Sequence, residues 1–371
     1  MARSTNRIFG FDGLRAIAFL LVFVSHKIPN FYTGAYGMTG VWIFFVLSGF
    51  LITRILARSR ENIENGGSTY GRSLIDFYVR RAGRIFPPYY TLLIVITVLA
   101  AMGLVDIGLR SAFLSNWFFL SNVYIQTRWW PAALGHLWSL SVEEQYYLIF
   151  APIALAVPRT RLGTLCMIML IVGTVVDIGA YFYGANFITF SVDSSINFAL
   201  FAIGGLAGLA VRPLPDWLKS APAVWINIAI IGIMPFLMTD ANDEFLLTHG
   251  RPLAILFAIL LLQISQDQSS ALVRALSWTP LHRLGLISYG AYLYHYPISS
   301  GSILSHLGLG AEVTQTPWLT VPMDFALTII AATLSYRYIE QPIRNWSRRL
   351  ADGRVEPSRM TRTADGSASL G

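Results

Sequence analysis

Apolar residues dominate the chain in long blocks, and the polar breaks between them set the reading frame for everything else. A bilayer core about 30 Å thick takes roughly 20 apolar helical residues. Runs of that size fall at about 9–28, 38–56, 87–105, 137–157, 162–182, 193–211, 222–239, 252–266, 284–303 and 318–339. The pattern predicts an all-α, polytopic membrane helix bundle of about ten transmembrane helices. The fourth run opens on polar groups and the eighth is short, so these two carry the weakest signal. Residues 111–125 are also apolar but are interrupted by Ser115, Asn116, Ser121 and Asn122. They read as an interfacial or re-entrant segment, with Trp117, Trp129 and Trp130 as headgroup anchors.

Charge placement tests the parity of that count. With the N-terminus inside, 21 of the 27 Lys and Arg residues fall on the cytoplasmic side, and only Lys27, Arg110, Arg128 and Arg251 fall opposite. Arg15 and Arg337 lie within spans. This is the asymmetry of the positive-inside rule, and it predicts that both termini are cytoplasmic. The formal charge of +7 is thereby read as topology, with no nucleic-acid partner. Only 13% of residues are charged and 54% are hydrophobic, where soluble domains carry about 25% charge. A soluble globular protein is excluded, and the expected location is the inner (cell) membrane of a bacterium.

Basic Met1–Arg7 before an apolar run imitates a secretory leader, but Asp12 and Arg15 interrupt that run and no small-residue cleavage site follows. The expected organisation is a cytoplasmic N-terminus at 1–8, a membrane domain at 9–340 and a disordered cytoplasmic tail at 341–371. The single cysteine, Cys166, lies in an apolar run, so one chain can build neither a disulfide nor a thiolate metal site. No histidine spacing suits zinc, and no metal is expected.

Ionisable groups inside spans are expensive and mark function by default. Arg15 and His26 are eleven residues apart, about 20° from eclipsed on a helix and about 16 Å apart along it. They share one face, Arg15 in the inner half and His26 near the outer end. The structural alternative is that Arg15 snorkels to headgroups and His26 is interfacial. At the outer start of the fourth run, Glu143 and Glu144 point about 100° apart, so at most one can face His26. A carboxylate there would orient the imidazole and raise its basicity, whereas the alternative is a solvated helix N-terminus. Arg81 and Arg84, three apart at the entrance of the third run, suit a phosphate-bearing donor or, equally, anionic lipid. Tyr289, Tyr292, Tyr294 and His295 crowd the ninth run, and Arg337 and Glu340 are spaced to pair with each other.

Six ordered motifs together resemble the acyltransferase 3 family, the bacterial integral-membrane O-acyltransferases of cell-surface glycans and some secreted natural products. They are Phe11–Arg15 with His26 beyond it, Gly40–Thr53 (GVWIFFVLSGFLIT), Arg81–Pro88, His136–Tyr147 (HLWSLSVEEQYY), Ser288–Pro297 (SYGAYLYHYP) and Ser335–Pro342 (SYRYIEQP). The resemblance covers about residues 8–345 and implies a membrane-only form, without the esterase-like soluble domain that some members append.

What the resemblance implies is transfer of an acyl group, acetyl being favoured, from cytoplasmic acyl-CoA to a hydroxyl. The acceptor is expected to be a cell-surface or exported glycan, or a lipid-linked saccharide, with a macrolide or other secreted small molecule as the alternative. It carries catalytic roles to Arg15, His26 and Glu143, and donor binding to Arg81 and Arg84. Glu144, Ser141, Tyr294 and His295 are the expected substrate-side residues, with Ser139, Ser141 or Tyr294 as candidate oxyanion donors. A secondary transporter is the competing class, although no repeat relates the two halves. The sequence leaves oligomeric state open.

Overall fold

The computed structural model describes residues 8–28, 34–105, 110–127, 134–185, 187–237, 243–306, 308, 310 and 316–353. All regular structure among them is helical. Four helical stretches are long and apolar enough to cross a membrane, Tyr36–Glu64, Tyr70–Ala101, Arg159–Phe182 and Pro317–Gly353. Ser194–Leu209, Ala221–Pro235 and Gly250–Gln266 are shorter apolar helices. The expected Trp129 and Trp130 anchors, the N-terminal 1–7 and the tail beyond 353 lie outside the described residues.

The helices that build the site are α1 (Phe11–Lys27), α2 (Gly34–Glu64) and α3 (Tyr70–Ala101). Next come α4 (Arg110–Trp117), α5 (Ser121–Thr127), α6 (Trp138–Ala156), α7 (Leu162–Phe182), α8 (Phe187–Val192) and α9 (Ser194–Leu209). Helices α10 (Asp216–Lys219), α11 (Ala221–Leu237) and α12 (Asp243–Gln266) follow. The last group is α13 (Ala271–Leu276), α14 (Thr279–Leu286), α15 (Ser288–Tyr294), α16 (Ser300–His306), α17 (Pro317–Ser335) and, after a π turn at Tyr336–Glu340, α18 (Gln341–Gly353).

Helix α2 is the hub, packed against α1, α6, α9 and α12. Its contact with α9 is close because both surfaces are glycine there. A Cβ on Gly49 would stand 2.0 Å from the Phe201 carbonyl, and one on Gly204 2.0 Å from that of Val46. Small residues let backbones approach where lipid supplies no hydrophobic drive between helices. Stacked Phe45 and Phe201, 4.7 Å apart, and Tyr146 over Phe201 at 4.2 Å fill the space beside the contact.

Several expected boundaries move, each for a local reason. The third apolar run begins at about Pro87, but α3 starts 17 residues earlier, where the Thr69 side chain accepts from the Arg72 amide at 3.3 Å. Pro87 and Pro88 sit inside this helix, and Thr91 Oγ1 donates to the Pro87 carbonyl at 2.7 Å. Arg81 and Arg84 are therefore held on a continuous helix.

Residues 284–303 do not form one helix. Helix α15 ends at Tyr294, Pro297 cannot continue it, and α16 begins only at Ser300. Residues 111–125 are split into α4 and α5, and the Phe119 ring at their junction stacks on Tyr89 of α3 at 4.4 Å. Residues 341–353, expected to be disordered, are helical. Helix α18 buries Ser347 and Ala351, and Ser347 packs at Gly83 of α3.

Candidate active site

Two polar clusters lie inside the bundle, and Tyr292 belongs to both. The first is a cavity of about 70 Å³ between α1, α2, α3, α6 and α15. Arg15, Ser48, Arg81, Arg84, Glu143 and Tyr147 supply its polar wall, closed on one side by Ser139 and Tyr292. Glu143 accepts from Ser48 Oγ at 2.6 Å and from the Tyr147 hydroxyl. The Arg81 guanidinium stands over the Phe77 and Tyr147 rings at 5.9 and 5.6 Å. Arg15 is held by Asp12 one turn earlier, Nη1 to Oδ1 3.4 Å, and lies within electrostatic reach of Arg84 and Arg81.

Three guanidinia against the Glu143 carboxyl group and the Asp12 partner of Arg15 leave this cavity electropositive, a place for an anion. The planar fork of Arg suits phosphate and carboxylate oxygens, and stacking on rings fixes the Arg81 fork in place.

The second cluster is built on histidines. His295 Nδ1 lies 2.7 Å from the Tyr292 carbonyl, which can only accept, so this nitrogen carries the hydrogen. In neutral His295, Nε2 is then an acceptor. It faces His26 Nδ1 at 3.0 Å, so His26 donates there and its own Nε2 is left as the basic nitrogen. His26 is exposed while His295 is fully buried. His136 donates from Nε2 to the Leu293 carbonyl at 3.1 Å, and its ring stacks on Tyr296 with centroids 5.0 Å apart.

Neighbouring groups fix this cluster from the side. Lys27 Nζ pairs with Asp324 of α17 at 2.9 Å and donates to the Ile298 carbonyl at 2.5 Å. Asp324 also accepts from the Ser300 amide at 2.6 Å, so one carboxylate ties α1, α17 and the break after α15. The Tyr292 hydroxyl donates to the His136 carbonyl at 3.0 Å and lies 2.6 Å from Ser139 Oγ. Its side chain thus closes the arginine cavity while its carbonyl sets the His295 tautomer.

The expected residues divide among these places. Arg15, Arg81, Arg84 and Glu143 share the first cavity, and His26 and His295 share the second cluster. The expected contact of His26 with a Glu is absent among the described residues, and His295 takes its place. Glu144 points away into a separate cavity of about 420 Å³ lined by Tyr78, Phe119 and Leu148, with Arg81 and Tyr147 forming the wall between the two. Ser141 is spent on Ser121 at 2.8 Å and on the Leu137 carbonyl at 3.3 Å. Tyr294 donates to Ser335 of α17 at 2.8 Å, outside the cavity lining. The anticipated Arg337–Glu340 pair does not form, because a π turn winds differently from the α-helix that spacing assumed. Glu340 instead faces Ser335 at 3.5 Å and lies within reach of Arg84.

Ser48 and Asp324 were not anticipated. A lone carboxylate in the apolar run 317–335 is a signal of the same kind as Arg15, and it would have picked out Asp324. Ser48 left no such mark.

Comparison with known proteins fits this arrangement. A family model described as an acyltransferase domain matches residues 8–337. The chain belongs to the acyltransferase 3 family. YrhL of Bacillus subtilis (strain 168) is 32% identical over 95% of this chain and 58% of its own length. Peptidoglycan O-acetyltransferase OatA of Listeria monocytogenes is 29% identical over 90% of this chain and 55% of its own. O-acetyltransferase OatA of Staphylococcus aureus is 30% identical over 90% and 57%. The chain therefore spans somewhat more than half the length of these curated relatives. No solved structure matches it. Membership of this family favours an enzyme over a carrier.

Proposed function

We propose that this protein O-acetylates a hydroxyl group of a cell-wall glycan, drawing the acyl group from acyl-CoA on the cytoplasmic side of the cell membrane. The observation that carries the reading is the pairing of an arginine-lined cavity with an exposed histidine whose Nε2 is left basic, joined through Tyr292. The names of the OatA relatives support the glycan acceptor. The lysine and arginine distribution supports a ten-span arrangement with both termini cytoplasmic, which puts Arg81 and Arg84 toward the donor side and His26 toward the outer face.

In this reading Arg81 and Arg84 hold donor phosphates, and Arg15 guides the arm that carries the thioester. Glu143, held by Ser48 and Tyr147, balances the guanidinia and keeps the cavity from becoming a trap for any anion. His26 Nε2 takes the proton of the acceptor hydroxyl as its oxygen attacks the thioester carbonyl. The C–O bond forms, the C–S bond breaks, and the proton passes from His26 to the departing thiolate. His295 holds the His26 ring in the required tautomer throughout.

The test is label transfer from radiolabelled acetyl-CoA in membranes holding the wild type or His26→Ala, followed by separation of cell-wall glycan, lipid and small molecules. Label in the glycan fraction with wild type alone is the expected result. Equal labelling by both proteins at equal levels would remove His26 from the chemistry, and His26-dependent label in the small-molecule fraction would reassign the acceptor.

A further inference from the structure

A second charged cavity, of about 450 Å³, lies on the opposite side of α2 from the arginine site. Phe50, Arg54, Ala57, Arg58 and Glu61 of α2 line it, whereas Ser48, Leu51 and Ile52 face the site cavity. At about 100° per residue Phe50, Arg54, Ala57 and Glu61 lie roughly opposite Ser48 and Ile52, and Arg58 lies on the Leu51 side about two turns further along, so α2 itself stands between the two spaces. The remaining wall comes from Gly208 and Leu209 of α9, Ser265 and Gln266 of α12, and Arg159 before α7.

The charges here are not used up by the fold. Arg159 is committed, with Nε 3.6 Å from Glu61 and its amide donating to Glu64 at 2.9 Å. Arg54 stands over the Phe50 ring at 5.3 Å and forms no salt bridge to a described residue, and neither does Arg58. These two arginines are one turn apart, where like charges oppose each other on a helix surface. Helices α9 and α12 end at this cavity, and their carbonyl ends carry about half a negative charge each, roughly one unit together. Two uncommitted guanidinia exceed that, so the cavity is left electropositive. Its volume lies within the range of about 300–1,000 Å³ typical of small-molecule sites. Its lining is mixed, with Leu209, Val211 and Leu262 beside the arginines.

We propose that this cavity binds a phosphate group, held between the Arg54 and Arg58 guanidinia, with the apolar wall taking the carbon skeleton attached to it. The phosphate can come from an anionic phospholipid headgroup or from a soluble phosphate ester. The site does not depend on the acyl-transfer reading, because none of its side chains lines the arginine cavity or the histidine cluster.

The full-length protein is reconstituted in phosphatidylcholine nanodiscs with and without phosphatidylglycerol, and retained lipid is read by native mass spectrometry. Inorganic pyrophosphate is titrated as the soluble probe. The variants are Arg54→Gln/Arg58→Gln, Arg54→Lys/Arg58→Lys and Arg84→Gln. Retention of phosphatidylglycerol that falls about tenfold or more in the Gln pair, survives in the Lys pair and is unchanged in Arg84→Gln supports the site and assigns a lipid. A pyrophosphate-binding component that is lost in the Gln pair and kept in Arg84→Gln, without lipid preference, supports it and assigns a soluble phosphate. Equal retention of both probes by wild type and the Gln pair overturns the proposal. If the Gln pair does not fold, salt titration of wild type against the Lys pair decides. Retention that is insensitive to salt in both overturns it, and retention that salt weakens in both supports it.

Discussion

His26 Nδ1 faces His295 Nε2 at 3.0 Å, and the Tyr292 carbonyl behind His295 dictates which of the two nitrogens holds the hydrogen. The chain of acceptors fixes a direction: a carbonyl oxygen, then His295, then His26, whose Nε2 alone remains basic. His295 is thus a positioning residue. Replacing it with Phe should leave protein levels unchanged and lower kcat by about 100-fold, within the range for loss of a general base, with little change in donor KM. His295→Gln can still accept from His26 Nδ1, so it should recover part of the loss. Equal activity of all three proteins would show that His26 needs no such partner.

Arg81 and Arg84 make a separate prediction, because no salt bridge to a described residue holds either of them. Arg84→Gln should raise the donor KM by about 10-fold or more, as expected when one charge-assisted contact is lost, and change kcat less. Arg81→Lys should not restore wild-type behaviour, since ammonium cannot reproduce a guanidinium that lies over the Phe77 and Tyr147 rings. Donor saturation curves at constant acceptor check both. An unchanged KM in Arg84→Gln would take the phosphates elsewhere.

Helical class and the arginine–histidine separation along α1 were readable from composition and a 3.6-residue period. The partner of His26 was not. Helix α15 ends at Tyr294, and the turn toward Pro297 swings His295 onto α1, a long-range contact that spacing within one run cannot express. The carboxylates misled for a related reason. Depth alone made Glu143 compatible with His26, but α3 lies beside α6 and brings Arg81 to Glu143 and Tyr147 first. Arg81 and Arg84 both line the cavity, but the extent of the helix that carries them was not legible, because Pro87 reads as a helix start when a capped helix can also run through it.

The α2–α9 contact gives a stability prediction independent of chemistry. A side chain on Gly204 must displace the Val46 carbonyl, which stands 2.0 Å from the Cβ position. Overpacking of this kind costs about 1–3 kcal/mol or more, and the two helices form the centre of the bundle. Gly204→Leu should lower the thermal midpoint in detergent more than Gly232→Leu, where nothing lies within 4 Å of the added carbon. A midpoint lowered equally by both would mean that α2 and α9 tolerate separation.

The Lys27–Asp324 pair offers the sharpest double test, because its members are 11% and 8% exposed and both have further duties. Asp324→Asn leaves the ammonium with the Ile298 carbonyl as its remaining acceptor, and breaking a buried pair from one side costs about 3–5 kcal/mol. Lys27→Met leaves the carboxylate with the Ser300 amide and a similar deficit. The double variant Lys27→Met/Asp324→Asn removes both charges, so it should recover at least half of the stability lost by either single change. Its activity should stay low even so, since the pair also fixes the turn that carries His295 against His26. Thermal midpoints and label transfer, measured on the same four proteins, separate the two effects. Activity that returns together with stability would mean that the pair matters only for folding.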